Sequence, residues 1–300
     1  MSNILIFKSR IYSLYFYKIQ KYFFYLRALV IIFNNFKNPI LTIKKIKSHT
    51  FPFLLQTKSG KEINVLHKRH LSIILKGLYD KIDFKNNLMI INFKGQKIFF
   101  CHYDSLDLGI FLDDFYSRLE VENKIVVDIG GNIGDSALLY AFSGASKVIM
   151  LEPQPKFFEY ASSNIKHNKM SEKIDSINSA LGSKHGTIKI NYEQSGNNFQ
   201  IPIDDKDGLS IPILTLDEII SQYVEKSFIL KMDCEGCEND VLLSTSDEIL
   251  KKFDAILIEF HFGCLDIVKK LSSLGFKITI LNSWYTSQKT FQGHLLAEQK

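Results

Sequence analysis

Three short runs of this chain carry acids, glycines and a histidine at spacings that can do chemistry. The first is K-M-D-C-E-G-C-E-N-D, Lys231 to Asp240, whose first two residues end the apolar run FILKM. Asp233 and Glu235 stand just past the end of that run, where a carboxylate can take a proton from a hydroxyl or clamp a polar substrate. Asp233 is the candidate base or clamp, and its competing role is to cap the helix that follows. The second run is L-I-E-F-H, which ends in Glu259 and His261. A histidine there can accept a hydroxyl proton or simply bond to a neighbouring loop, so Glu235 and His261 are read as support for Asp233. Three acids and a histidine on one edge could also hold a divalent cation through oxygen ligands; no metal site is assigned from the sequence. Cys234 and Cys237 form a lone C-x-x-C, for which zinc would need two more ligands, with Cys264 the nearest spare cysteine. They are read as small core or helix-start residues rather than as metal or redox groups.

The third run is V-V-D-I-G-G-N-I-G-D, Val126 to Asp135. Ile125, Val126, Val127 and Ile129 suit a strand buried on both faces, and Gly130, Gly131 and Gly134 follow at once, as in a sharp turn that admits a ligand's close approach. Asp135-Ser136 then offers N-cap chemistry for a helix from Ala137 to Phe142. The spacing is not G-x-G-x-x-G, and Asp128 would repel a pyrophosphate, so a cationic ligand suits the loop better than a dinucleotide. Glu152 falls at the end of the next strand, about twenty residues on, where an acid accepts both hydroxyls of a ribose.

These runs must be positioned by a βαβ series. From Ile125 onward the pattern alternates: KVIML, a helix from about Pro155 to near Asn168, a strand around Ile174 to Ser179, a hairpin of Thr187–Tyr192 with Leu209–Leu214, and a capping box Thr215–Glu218 opening a helix. FILKM and AILIEF are the fourth and fifth strands, and FKITIL with HLLAE closes the sheet. Upstream, FLLQT with EINVL and LMIINF with KIFFC read as hairpins, with a short helix between them over His67 to Leu78. His67, His70 and His102 lack metal-ligand companions. The domains expected are a basic aromatic helical arm over 1–50, a hairpin-rich section over 51–104 and a catalytic domain over 105–300.

The net charge of +5 over 300 residues conceals a split. Residues 1–70 hold thirteen Lys/Arg and one acid, Glu62, or +12, which leaves −7 for the rest. An acidic catalytic domain argues against nucleic acid as the partner of the site. Four scattered cysteines exclude a disulfide scaffold and point to a cytoplasmic protein. In the arm, Lys18, Lys21 and Arg27 interrupt every apolar stretch, so no spanning helix is expected. Residues 1–47 either pack on protein or lie at the inner face of an anionic membrane, where Tyr15, Phe16, Tyr22, Phe23 and Tyr25 would sit at the headgroup boundary.

Together these segments resemble the FkbM family of methyltransferases. That family's run of DIGxNxGD, EP, TLD, KxDxEGxE and an IE-x-H-like strand appears here as Asp128 to Asp135, Glu152-Pro153, Thr215 to Asp217, Lys231 to Glu238 and Ile258 to His261. The likeness covers residues 105–300, with Gly131 and Cys237 standing where other small residues are common. It implies an α/β fold of Rossmann-like class I methyltransferase type, with seven mostly parallel strands, preceded here by the helical arm and the small β-rich section. It also implies O-methylation of a hydroxyl on a sugar, glycan or natural product with S-adenosyl-L-methionine as cofactor. Gly130, Gly131, Asn132, Gly134 and Asp135 would line the methionine side, Asp128 would balance the positive end, Glu152 would grip the ribose, and Ser179-Ala180 would lie where adenine rests. The competing readings are an NAD-dependent oxidoreductase and a non-catalytic surface protein on a degenerate methyltransferase fold.

Overall fold

The computed structural model describes residues 22–48, 50–65, 71, 74, 75, 77, 82–85, 88–103, 105, 106, 109–112, 114–192, 208–223, 227–286 and 290–299. It divides into two units, Met1–Phe100 and Cys101–Lys300. In the first, a helix over residues 22–35 gives way to another, Pro39–Ser48. The break is where Pro39, lacking an N–H, can only begin a helix, and Asn35 turns its side-chain amide back to the Ile31 carbonyl at 2.8 Å. Ala28, Ile32 and Phe36, four residues apart, form the buried stripe of this segment. Strands β1 (Phe53–Gln56) and β2 (Glu62–Val65) make the first expected hairpin. Strands β3 (Ile82–Lys85), β4 (Leu88–Phe93) and β5 (Gln96–Phe100) form a second antiparallel sheet, in which β3 is an addition to the expected pair. The tight β4–β5 turn has positive φ at both Lys94 and Gly95, the twist such hairpins need. The helix expected over His67 to Leu78 lies largely outside the described residues.

Within the first unit the described part of the arm is tied to the β1–β2 hairpin. Phe36 bridges to Thr57, the Lys37 N–H donates to the Gln56 carbonyl and the Lys58 N–H to that of Asn35. Backbone groups left over at the helix end are thus satisfied by the β1–β2 turn region, which ties the two together.

The second unit holds β6 (Ile125–Ile129), β7 (Lys147–Leu151), β8 (Ile174–Ile177), β9 (Ala180–Leu181), β10 (Gly186–Ile190), β11 (Leu209–Leu214), β12 (Phe228–Met232), β13 (Phe253–Phe260), β14 (Lys277–Tyr285) and β15 (Phe291–Glu298). Seven of them form the main sheet in the order β14-β15-β13-β12-β6-β7-β8, with β15 antiparallel to both neighbours and the other pairs parallel. This is the seven-stranded Rossmann-like sheet expected. β6 and β12 are buried along their whole length, as near-continuous apolar runs in a central parallel strand require. β10 and β11 pair as foreseen, and the capping box is present, with the Glu218 N–H donating to Thr215 Oγ1 and the Thr215 N–H to Glu218 Oε2. One local expectation fails: the helix Asp135–Phe142 has left-handed Gly134 at its N-cap and no side-chain cap, because Ser136 Oγ turns inward to Asp128 instead.

The chain fills the sheet outward from β6 through β7 to β8, then returns to place β12 on the other side of β6. That reversal makes the carboxyl ends of β6 and β12 the switch point of the sheet, where loops diverge and leave a crevice.

Candidate active site

Register fixes what meets at the switch point. Lys231 lies opposite Asp128 and Met232 opposite Ile129, so the loops after β6 and β12 leave the sheet side by side. Gly130 has φ +73°, and a Cβ there would fall 1.8 Å from the Asp233 carbonyl oxygen. This revises the reading of the glycines as room for a ligand. The space at Gly130 is filled by the neighbouring loop's backbone, and Cβ atoms at Gly131 and Gly134 would meet Met150 at 2.2 Å and Ala161 at 3.3 Å.

Asp128 is revised as well. It is fully buried, accepts a 2.6 Å hydrogen bond from Ser136 Oγ, and pairs through Oδ1 with Lys231 Nζ at 3.2 Å. Lys231 also donates to the Ile129 and Gly130 carbonyls, at 3.1 and 2.8 Å. Burial alone would lower the lysine's pKa, but Asp128, then Asp233 and Asp135, hold it above its ordinary value. The charge of Asp128 is therefore answered inside the protein by a lysine that pins the glycine loop, not by a ligand's positive end. The sequence reading gave Lys231 no role, although a lone lysine within an apolar strand was a signal that a buried acid lay near.

Glu152 stands at the end of β7, nearly buried. Its Oε2 accepts from the Asn132 N–H and its Oε1 from the Gln154 N–H, both at 2.8 Å, and burial pushes its pKa up to about 7 against those two bonds. Asn132 is left-handed at φ +46° and donates its side-chain amide to the Ser105 carbonyl, while Asp135 is buried with Oδ1 accepting from the Ser136 N–H. Ser179 is fully buried, its hydroxyl donating to the Ala180 carbonyl; of that pair only Ala180 retains partial exposure at the end of the β8 region.

On the other side of the switch point, Asp233 and Glu235 follow β12 and His261 follows β13. The structure brings these three together, with His261 Nε2 3.2 Å from Glu235 Oε2 and 4.0 Å from Asp233 Oδ1. Behind them is a residue to which the sequence reading gave no role. Glu238, buried, accepts at Oε1 from the Gly236 and Cys234 N–H groups and pairs with His261 Nδ1 at 2.9 Å. Burial would lower the histidine's pKa, yet Glu238, Glu235 and Asp233 raise it to about 9. The three carboxylates around it thus favour the charged form of the ring. Asp233 differs: burial pushes its pKa up to about 7, against the pull of Lys231, and its Oδ1 is enclosed with no hydrogen-bond partner. Glu259 pairs with His294 Nε2 at 3.2 Å; burial would raise its pKa, but His294 holds it below the usual range. Cys234 and Cys237, read as separate small residues, are joined in a disulfide within the loop that carries Glu235. Of the other histidines, His102 stacks on Tyr160 with ring centroids 4.0 Å apart, while His67 and His70 lie outside the described residues.

A cofactor of the S-adenosylmethionine type presents a ribose diol and a cationic sulfonium, and the residues at the switch point fit both. Each Glu152 oxygen spends one acceptor direction on a backbone N–H and keeps another for a hydroxyl donor. Asp233 and Glu235, partly exposed, turn carboxylates to the same edge, which suits a positive ligand, whereas Glu259 is already answered by His294.

Residues 128–278, half of the chain, match the family model described as the Methyltransferase FkbM domain. A methyltransferase of Sordaria araneosa, sdnD, is 23% identical over 185 residues, covering 50% of this chain and 71% of the relative. Uncharacterized protein 158B of Sulfolobus islandicus rod-shaped virus 1 is 27% identical over 160 residues, covering 52% and 74%. Among solved structures, methyltransferase FkbM of Methylobacillus flagellatus KT is 18% identical with a TM-score of 0.42, over 61% of this chain and 47% of that one. TrmK of M. capricolum, in complex with S-adenosylhomocysteine, is 13% identical with a TM-score of 0.36, over 65% and 69%. With its glycine loop, its Glu152 and its Asp233 loop all inside or beside the matched span, the chain belongs to the FkbM methyltransferase family and is an S-adenosylmethionine-dependent methyltransferase.

Proposed function

We propose that this enzyme methylates a hydroxyl group of a sugar, glycan or natural product. The observation that carries the reading is the place of Asp233, just past β12 at the switch point and facing His261 Nε2 at 4.0 Å, where burial raises its pKa to about 7. A general base works best with a pKa near the operating pH, and this carboxylate meets that condition where an ordinary aspartate, near 4, would not. The cofactor supplies an activated methyl on a sulfonium. The chain's own residues do the rest. Glu152 orients the ribose end, Lys231 and Asp128 fix the glycine loop, and Asp233 takes the acceptor's proton. His261, held at Nδ1 by Glu238, keeps the carboxylates of the Asp233 loop together. Position contributes most, since an in-line displacement depends on near-attack geometry.

The test is methyl transfer from isotopically labelled cofactor to a panel of sugar and polyketide hydroxyl acceptors. The Asp233→Asn variant keeps the shape and loses the proton acceptor. It should lower turnover by about 10²-fold or more while leaving S-adenosylhomocysteine affinity near wild type. Equal turnover in the variant removes Asp233 as the base.

The same reading extends to the arm, whose acceptor would then be a lipid-linked glycan at an anionic membrane surface. Among the described residues no helix is long and apolar enough to cross a membrane. What supports a surface role is the helix over 22–35, which exposes Tyr22, Phe23, Tyr25, Leu26, Leu29, Val30 and Phe33. Its Arg27, with Lys37, Lys44, Lys45 and Lys47 just beyond, has no acid near it in sequence before Glu62.

A further inference from the structure

We propose that His261, Asp233 and Glu235 form a binding site for a divalent cation of the manganese or zinc kind. The inference rests on the arrangement of these side chains and is independent of the methyl-transfer reading.

The geometry begins with Glu238. Its carboxylate is buried and fixed by two backbone N–H groups, and it engages His261 at Nδ1. A carboxylate bonded to one ring nitrogen fixes the ring and turns the other toward an ion, the outer-shell device found behind metal-bound histidines. Here Nε2 points into a gap whose opposite walls are Glu235 Oε2 at 3.2 Å and Asp233 Oδ1 at 4.0 Å. The histidine side chain is only 7% exposed, and without an ion Nε2 pairs with Glu235; uptake of the ion releases the Nε2 proton, so that its lone pair and the two carboxylates take the metal.

Asp233 gives a second, separate sign. Its Oδ1 is enclosed and accepts no hydrogen bond, although His261 Nε2 faces it. An anionic oxygen left in that state is costly, and a cation in the gap would answer it.

Distances agree. Ligands about 2.1 Å from one ion lie about 3.0 Å apart at a right angle and about 4.2 Å apart when opposed. The two measured separations, 3.2 and 4.0 Å, fall within that range. One ligand atom from each of the three residues lies within 4.8 Å of the others. Two carboxylates and one imidazole favour a borderline cation such as Mn2+ or Zn2+ over the all-oxygen demand of Ca2+. Three protein ligands leave further positions open. Asp233 and Glu235, 26% and 37% exposed, put those positions on the solvent side, where an acceptor oxygen could bind.

The experiment uses the full chain after treatment with chelator, without cofactor or acceptor, titrated with MnCl2 and followed by electron paramagnetic resonance of free Mn2+ and by calorimetry. ZnCl2 is the second probe. One saturable site per chain is expected. Asp233→Asn and Glu235→Gln should each weaken it tenfold or more, Glu238→Gln by 10- to 100-fold, and Asp266→Asn, an exposed acid on another helix, not at all. Circular dichroism establishes that each variant is folded. The inference is overturned if neither ion binds saturably at millimolar concentration, or if binding survives both Asp233→Asn and Glu235→Gln. A parallel titration with S-adenosylhomocysteine separates the two readings: cofactor binding without metal uptake sinks only the metal site, and metal uptake without cofactor binding sinks only the methyltransferase site.

Discussion

Replacing Lys231 by methionine tests whether the buried ion pair, rather than a ligand, answers the charge of Asp128. The two side chains are 3% and 0% exposed, with Nζ 3.2 Å from Oδ1, and besides that pair Asp128 has the Ser136 hydroxyl. Removing one member of such a pair strands the other, at a cost of about 3–5 kcal/mol. The same change takes a donor from the Gly130 carbonyl and one of two from the Ile129 carbonyl, which keeps the Asp233 N–H, and this adds to the loss. For a unit of 200 residues, Cys101–Lys300, the unfolding entropy is about 0.4 kcal/mol/K, so the melting midpoint should fall by about 7–12 °C. Scanning calorimetry on wild type, Lys231→Met and the double variant Asp128→Asn/Lys231→Met measures it. The double variant should recover most of the loss, since it leaves no buried charge behind. A single variant within 1 °C of wild type, or a double variant no better than the single, would refute the argument that this pair holds the glycine loop.

Three further outcomes follow from the same geometry. On the proposed role of Glu152 at the ribose, with burial raising its carboxyl to about 7 and only the ionised form accepting from both hydroxyls, S-adenosylhomocysteine affinity should weaken about tenfold, or about 1.4 kcal/mol, from pH 8 to pH 6. Calorimetric titrations of wild type and Glu152→Gln should show that slope in the first and lose it in the second. Gly130→Ala combines a left-handed φ with a Cβ 1.8 Å from the Asp233 carbonyl, and should cost more than about 2 kcal/mol in denaturant unfolding; a smaller loss would mean the two loops part easily. Flotation with vesicles should place the full chain on anionic but not neutral lipid, less so as salt rises; a chain that stays off anionic vesicles at low salt, and aggregates when residues 1–47 are removed, uses the arm as core instead.

What the sequence determined by itself was whatever depends on neighbours along the chain. The apolar runs of β6, β7, β12 and β13, the hairpins around Lys94-Gly95 and near Gly60 and the capping box at Thr215 are set by local sterics and hydrogen bonding within a few residues, and each was legible. So was the gathering of Gly130, Glu152, Asp233 and His261 at one sheet edge, because strands in a βαβ series present their carboxyl ends together. Tertiary structure alone decided which partner each charge has. Asp128 looked available to a cationic ligand until the parallel register of β6 and β12 set it against Lys231, 103 positions on, and nothing in the order of residues showed that Glu238 would stand behind His261. A pKa depends on burial and on charges a few ångströms away in space, and sequence separation carries no information about either. The glycine of position 130 shows the same limit from the steric side: its type marked a close approach, but only the fold shows that what approaches is the carbonyl of Asp233.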